Sequence, residues 1–106
     1  MPETRVVNLR RESYDVYIGR GRERQEPRPC IYGNPYSHMS GTLAKFRVAN
    51  RDEACDRHMD DLRALSRESL IVLLTPLVGK RLGCFCKPLR CHGDNYVQLI
   101  RELGLE

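Results

Sequence analysis

Arg81-Leu82-Gly83-Cys84-Phe85-Cys86, continuing through Lys87-Pro88-Leu89-Arg90-Cys91-His92-Gly93-Asp94, is the stretch on which the fold turns. Arg81 to Cys86 has the short apolar character of a strand. Lys87-Pro88 breaks it, and Asp94 to Leu103 then repeats apolar residues at helical spacing, with Val97, Ile100 and Leu103 (or Tyr96, Leu99 and Leu103) turned inward. Gly104 ends that helix. A strand that opens through a loop into a helix belongs to an α/β architecture, and the loop at the strand's carboxyl end is where such sheets place ligands.

The rest of the chain supplies partners for that strand. Arg5 to Leu9 is β-branched between polar residues, and Tyr14 to Ile18 alternates in polarity before Gly19, so both read as strands. Asn50-Arg51-Asp52-Glu53 is a capping-box variant that opens a helix over 51–66, with Cys55, Met59, Leu62 and Leu65 on one side and its acids early, where the helix dipole favours them. A second helix covers 69–74, punctuated by Pro76 and Gly79. Gly19 to Gly41 reads as a long loop, mobile over 20–26 and ordered around Cys30 to Tyr36, where tyrosines and an isoleucine give it something to bury. The expected fold is one small α/β domain over 1–106, a short central sheet of 5–9, 14–18 and 81–86 flanked by helices.

Composition narrows the class. At 106 residues, with 41% hydrophobic and 30% charged residues, the chain fits neither a disordered nor a membrane protein. Its longest apolar run, Leu70 to Leu74, falls far short of the ~20 residues that span a bilayer, and the start lacks an apolar leader, so a cytoplasmic protein without membrane contact is expected. The net charge of +4 is unevenly spread: 27–51 and 69–93 hold no acid, whereas 52–68 hold six. If the acid-free stretches meet, they form a surface suited to phosphates; otherwise they are ordinary solvated charge.

The chemistry concentrates in Cys84, Cys86, Cys91, His92 and Asp94. With a single residue between them in an extended strand, Cys84 and Cys86 could form only a strained disulfide, and the thiols read as reduced. Cys84, Cys86, Cys91 and His92 could supply four zinc ligands, with Cys86, Cys91 and His92 foremost and Cys84 the fourth unless it faces away. The rival is a Cys91 thiolate activated by His92, Lys87, Arg90 and a helix start; the plain alternative is two buried strand cysteines and a capping histidine. Asp94 reads either as the cap of the last helix or as a carboxylate that orients His92 or serves as a base. Gly33-Asn34-Pro35 could present a rigid amide to a base or sugar, or be an Asx-turn. Ile18-Gly19-Arg20-Gly21 could meet an anion but is no P-loop. His38 carries little signal, and His58, on the acidic helix, is expected at the surface. No RNA-recognition or helix-turn-helix pattern is present.

Val6 to Arg10, Tyr14 to Gly21, Gly33 to Tyr36, Gly79-Lys80, Leu82 to Leu89 and Cys91-His92-Gly93-Asp94 occur in the order of one known family. The sequence resembles the family called domain of unknown function 4326, common in bacteriophages and actinobacteria. Phe85 stands where that family often has tryptophan and Tyr36 where it often has phenylalanine, and the stretch around Cys30 is less typical. The resemblance implies a compact α/β domain whose signature segments converge on one site. Occurrence in phages favours nucleotides, nucleic acid or modified bases as substrates, by association. Two expectations follow. One is an enzyme acting on a nucleotide or base, with zinc as cofactor, Cys91, His92 and Asp94 catalytic, and Asn8, Arg10, Tyr17, Gly19, Arg20, Gly33, Asn34 and Lys87 holding substrate. The other is a binding module for nucleic acid or protein whose closed zinc site only stabilises the fold.

Overall fold

Leu82 and Cys84 are apolar and flank Gly83, and the strand they build takes the centre of the sheet. The computed structural model describes residues 3–19, 32–37 and 46–106. In it β1 (Arg5–Asn8) and β2 (Val16–Tyr17) both run parallel to β5 (Arg81–Cys84), in the order β1-β5-β2. Arg5 stands opposite Arg81 and Asn8 opposite Cys84; on the other side Val16 meets Leu82 and Tyr17 meets Gly83. The strands are shorter than expected, and β5 stops at Cys84 rather than Cys86.

Two parallel strands on either side of a third require the chain to cross it, and here residues 9–15 make the crossing. Parallel crossovers usually take a dozen residues or more; strands of two to four residues shorten the return path. The crossing lays Tyr14 on Gly83, where a Cβ would stand 2.6 Å from Tyr14 Cγ. This is why the central strand carries a glycine.

Helix α1 (Arg51–Arg63) starts with the reciprocal cap read from the sequence: Glu53 N–H donates to Asn50 Oδ1 at 2.8 Å, and Ala49 N–H to Glu53 Oε2 at 3.0 Å. It ends at Arg63, short of 66, because Ser66 turns outward to cap α2 (Arg67–Leu74) through Ser69 N–H. Leu65, expected on the inward stripe, therefore lies in the exposed link. After a 3-10 turn over Thr75–Leu77 and then β5, α3 (Gly93–Glu102) packs its start on the sheet: a Cβ on Gly93 would stand 2.6 Å from Ile18 Cδ1 and 2.8 Å from Val6 Cγ2. Ile18, Leu62, Leu70, Leu74, Leu77, Leu82, Tyr96, Leu99 and Ile100 form one buried core with Cys84 and Cys91.

A feature without a sequence signal is a second, two-residue parallel pairing, β3 (Tyr36–Ser37) with β4 (Phe46–Arg47), whose Tyr36 and Phe46 rings stack at 5.3 Å. The result is a compact α/β domain. Among the described residues no helix is long and apolar enough to cross a membrane.

Candidate functional site

Because β1, β2 and β5 are parallel, their carboxyl ends lie along one edge, and the segments that leave them hold most of the site residues expected from the sequence. Asn8 ends β1, and its Nδ2 donates to Lys87 O at 2.8 Å, while Arg10 N–H donates to Asn8 Oδ1 at 2.9 Å. The exposed Arg10 guanidinium then lies over the Phe85 ring, 5.1 Å from its centroid. Asn8, Arg10, Phe85 and Lys87 thus join from two distant segments into one rim. Tyr17 ends β2, and its ring folds onto Gly19, leaving no room there for a Cβ.

Behind the rim lies the cysteine cluster. β5 ends at Cys84, and Cys86 follows two residues later in the loop that leads to α3. Both lie close enough to Cys91, and to each other, for the three thiols to shift one another's proton affinity. Cys84 therefore does not face away. Cys84 and Cys91 are buried, whereas Cys86 is half-buried. The Cys86 thiol is pulled well below its ordinary value, chiefly because Cys84 and Cys91 can donate S–H to it. Those same bonds, and burial, push Cys91 up; the bond to Cys86 raises Cys84. Backbone N–H groups of Cys86 and Lys87 point to Cys84 Sγ, and Gly93 N–H reaches Cys91 Sγ at 3.4 Å. Among the described residues no group of three or more His, Cys, Asp or Glu side chains is arranged as a metal site.

His92 is buried at 7% exposure, and its ring is oriented by backbone. Its Nε2 lies 2.7 Å from Ile18 O and 2.9 Å from Tyr32 O. Carbonyls only accept, so Nε2 carries the proton and the Nδ1 lone pair is on the Cys91 side, with Sγ at 3.6 Å. Asp94 takes no part in that orientation. It is the second residue of α3, where Oδ2 accepts from Cys91 N–H at 3.2 Å and Oδ1 pairs with Lys87 Nζ at 2.9 Å. It fastens the loop rather than capping Tyr96 or Val97.

Residues 4–102 match the family described as "Domain of unknown function (DUF4326)". The chain belongs to this family. It is also similar to the "Uncharacterized 12.4 kDa protein in nrdA-td intergenic region" of Enterobacteria phage T4, at 34% identity over 101 residues that cover 93% of this chain and 79% of the phage protein. No solved structure matches.

The remaining expected residues of this DUF4326 chain are placed differently. Asn34 is buried, with Nδ2 donating to Ala54 O at 3.1 Å and Oδ1 accepting from Tyr36 N–H at 2.9 Å, so its amide closes an Asx-turn and ties Gly33-Asn34 to α1. Arg20, Cys30 and His38 lie outside the described residues. Cations of the acid-free stretch 69–93 meet acids: Arg81 with Asp15, Lys87 with Asp94, and Arg90 with Asp52 and Asp56. That pairing dilutes the positive surface the sequence suggested.

His58 overturns its expectation outright. It is 4% exposed, its Nδ1 accepts from Asn95 Nδ2 at 3.0 Å, and its Nε2–H donates to Tyr96 Oη at 3.1 Å. Tyr96 Oη–H in turn donates to Tyr32 O at 2.9 Å, the carbonyl that also takes His92. Burial, with His92 nearby, pushes His58 down to about 3, so it is neutral. A signal was present: His58 stands three residues after Cys55 and four before Leu62, on the inward stripe itself. Asn95 had no such signal, whereas the sequence pointed to burial for Tyr32 and Tyr96 without disclosing this network.

Proposed function

We propose that this protein binds a nucleotide, or a nucleotide unit of nucleic acid, at the carboxyl edge of its parallel sheet, with the buried cysteine–histidine cluster bracing that edge from behind. The observation that carries the reading is the rim built by Asn8, Arg10, Phe85 and Lys87, in which an exposed guanidinium lies over an aromatic ring. A guanidinium in that setting offers planar donors to phosphate and a face to a base. The position agrees with the general placement of ligands in parallel sheets. Kinship with a phage protein favours nucleic-acid chemistry by association only.

Calorimetric titration with nucleoside mono- and triphosphates and a short single-stranded oligonucleotide tests this. Binding that weakens with salt, and that Arg10→Ala reduces by roughly tenfold, supports it. No binding at millimolar ligand, or binding indifferent to Arg10→Ala and Arg10→Glu, refutes it.

A second reading, catalysis on the bound nucleotide or base, is favoured by Cys86. It is the half-buried thiol of the cluster, and its neighbours stabilise it as a thiolate, the form that attacks electrophiles. Under that reading Cys86→Ser retains nucleotide affinity and abolishes turnover.

A further inference from the structure

We infer that Cys84, Cys86, Cys91 and His92 Nδ1 together form a closed four-ligand zinc site. The inference stands on the arrangement of donors and of the groups behind them, and does not depend on nucleotide binding.

The first ground is spacing. Zn–S bonds of about 2.3 Å and Zn–N bonds of about 2.0–2.1 Å at tetrahedral angles separate sulfur from nitrogen by roughly 3.5 Å, and sulfur from sulfur by roughly 3.8 Å. Cys91 Sγ and His92 Nδ1 are 3.6 Å apart, and Cys84 and Cys86 lie close enough to Cys91 for the three thiols to perturb one another. The set is brought together by the end of β5 at Cys84 and the start of α3 at Gly93.

The second ground is what stands behind the donors. A histidine ligand ordinarily gives its other ring N–H to a carbonyl or carboxylate, which fixes the tautomer. His92 does so through Nε2 to Ile18 O and Tyr32 O, and this leaves Nδ1 as the ligating atom. The Tyr32 carbonyl is itself held by Tyr96, and Tyr96 by His58. Thiolates are stabilised by N–H donors, and the sulfurs have them: Cys86 and Lys87 N–H toward Cys84 Sγ, and Gly93 N–H toward Cys91 Sγ.

Zinc entry exchanges the S–H···S contacts for Zn–S bonds. The S–H bonds of Cys84 and Cys91, and that of Cys86 in chains where it is still protonated, break and release their protons to solvent. The side chains reorient about the ion, and three thiolates with a neutral His92 give a site of net charge −1 without any change in oxidation state. Four protein ligands leave no position for water, so the ion braces the β5–α3 loop and performs no hydrolysis.

The test uses the full chain, reduced and stripped with a chelator, then titrated with zinc against a chromophoric competitor and, separately, with cobalt(II). The expected result is one ion per chain, thiolate-to-cobalt charge-transfer absorption with tetrahedral ligand-field bands, and release of protons on binding. Cys55→Ser, which alters a buried thiol outside the set, keeps the stoichiometry, and Cys91→Ser abolishes it. Should Cys91→Ser fail to fold, alkylation mapping of the unaltered chain decides: zinc must slow modification of Cys84, Cys86 and Cys91 by roughly tenfold or more. Uptake of no ion, a cobalt spectrum without charge-transfer bands, or thiols equally reactive with and without zinc each overturns the inference. None of these readouts involves a nucleotide, so failure here and failure of the binding reading are separately visible.

Discussion

Gly83→Ala tests the account of how the chain crosses its own sheet. A Cβ at this position would lie 2.6, 2.9 and 3.0 Å from Tyr14 Cγ, Cδ2 and Cβ, where ordinary contact begins near 3.4 Å. Tyr14 must therefore retreat by about 0.8 Å, and because its own Cβ is among the clashing atoms, rotating the ring does not suffice. The backbone of the crossing has to move, and with it the Asp15 N–H bond to Arg81 O at 2.9 Å. Overpacking of this kind costs roughly 1–3 kcal/mol, against which alanine regains about 0.5–1 kcal/mol of unfolded-state entropy. A net loss of about 1–2 kcal/mol is expected in urea denaturation at constant m-value. The decisive comparison is a double-mutant cycle. In a Tyr14→Ala background the clash is gone, so Gly83→Ala becomes neutral or slightly stabilising, with a coupling energy above about 1 kcal/mol. Equal destabilisation in both backgrounds would mean that Tyr14 is not what requires the glycine.

Two further expectations concern the polar interior and the loop. His58 is held near 3 in the fold and returns to about 6.5 when unfolded, so between those values only the unfolded chain takes the proton; its stability contribution is whole above pH 6.5 and falls as pH drops, by roughly 2 kcal/mol at pH 5. Urea midpoints at pH 8 and pH 5 should therefore diverge less for His58→Gln than for the unaltered chain, and parallel losses would contradict the assignment. Asp94→Asn preserves an acceptor for Cys91 N–H and loses only a part-exposed ion pair with Lys87, so its cost should stay within ~1 kcal/mol, whereas Asp94→Ala loses both bonds and should cost about 1 kcal/mol more. Thermal or urea melts of the two variants measure the difference, and equal losses would show that the charge matters rather than the acceptor.

What could be read before any coordinates was local and periodic. Asn50 to Glu53 announces a helix start because a cap is a contact within four residues, and it forms as read. The strand-to-helix unit around Cys84 and Gly93 was legible for the same reason: prolines and glycines punctuate it. Where β5 stops was not legible, because that depends on β1 and β2 arriving from elsewhere to pair with it. His58 was misjudged because its neighbours are acids, although its spacing from Cys55 and Leu62 placed it inward. The β3–β4 pair could not be seen, since two residues per strand leave no alternation to detect. The rim of Asn8, Arg10, Phe85 and Lys87 was nameable residue by residue, but its assembly is a product of parallel pairing across the whole chain.

The order of the sheet has a bearing on how the protein is made. β1 and β2 do not pair with each other; each pairs with β5, which follows Arg5 by 76 residues when Arg5 is set against Arg81. Translation at roughly 5–20 residues per second puts about 4–15 s between the synthesis of the two. Throughout that interval the amino-terminal strands have exposed edges and no template, while α1 and α2 can already form from local contacts. The chain is thus completed in reverse of its reading order, its first strands recruited by one of its last. A nascent chain stalled before Leu82 would present those two unpaired strands to whatever edge it met first.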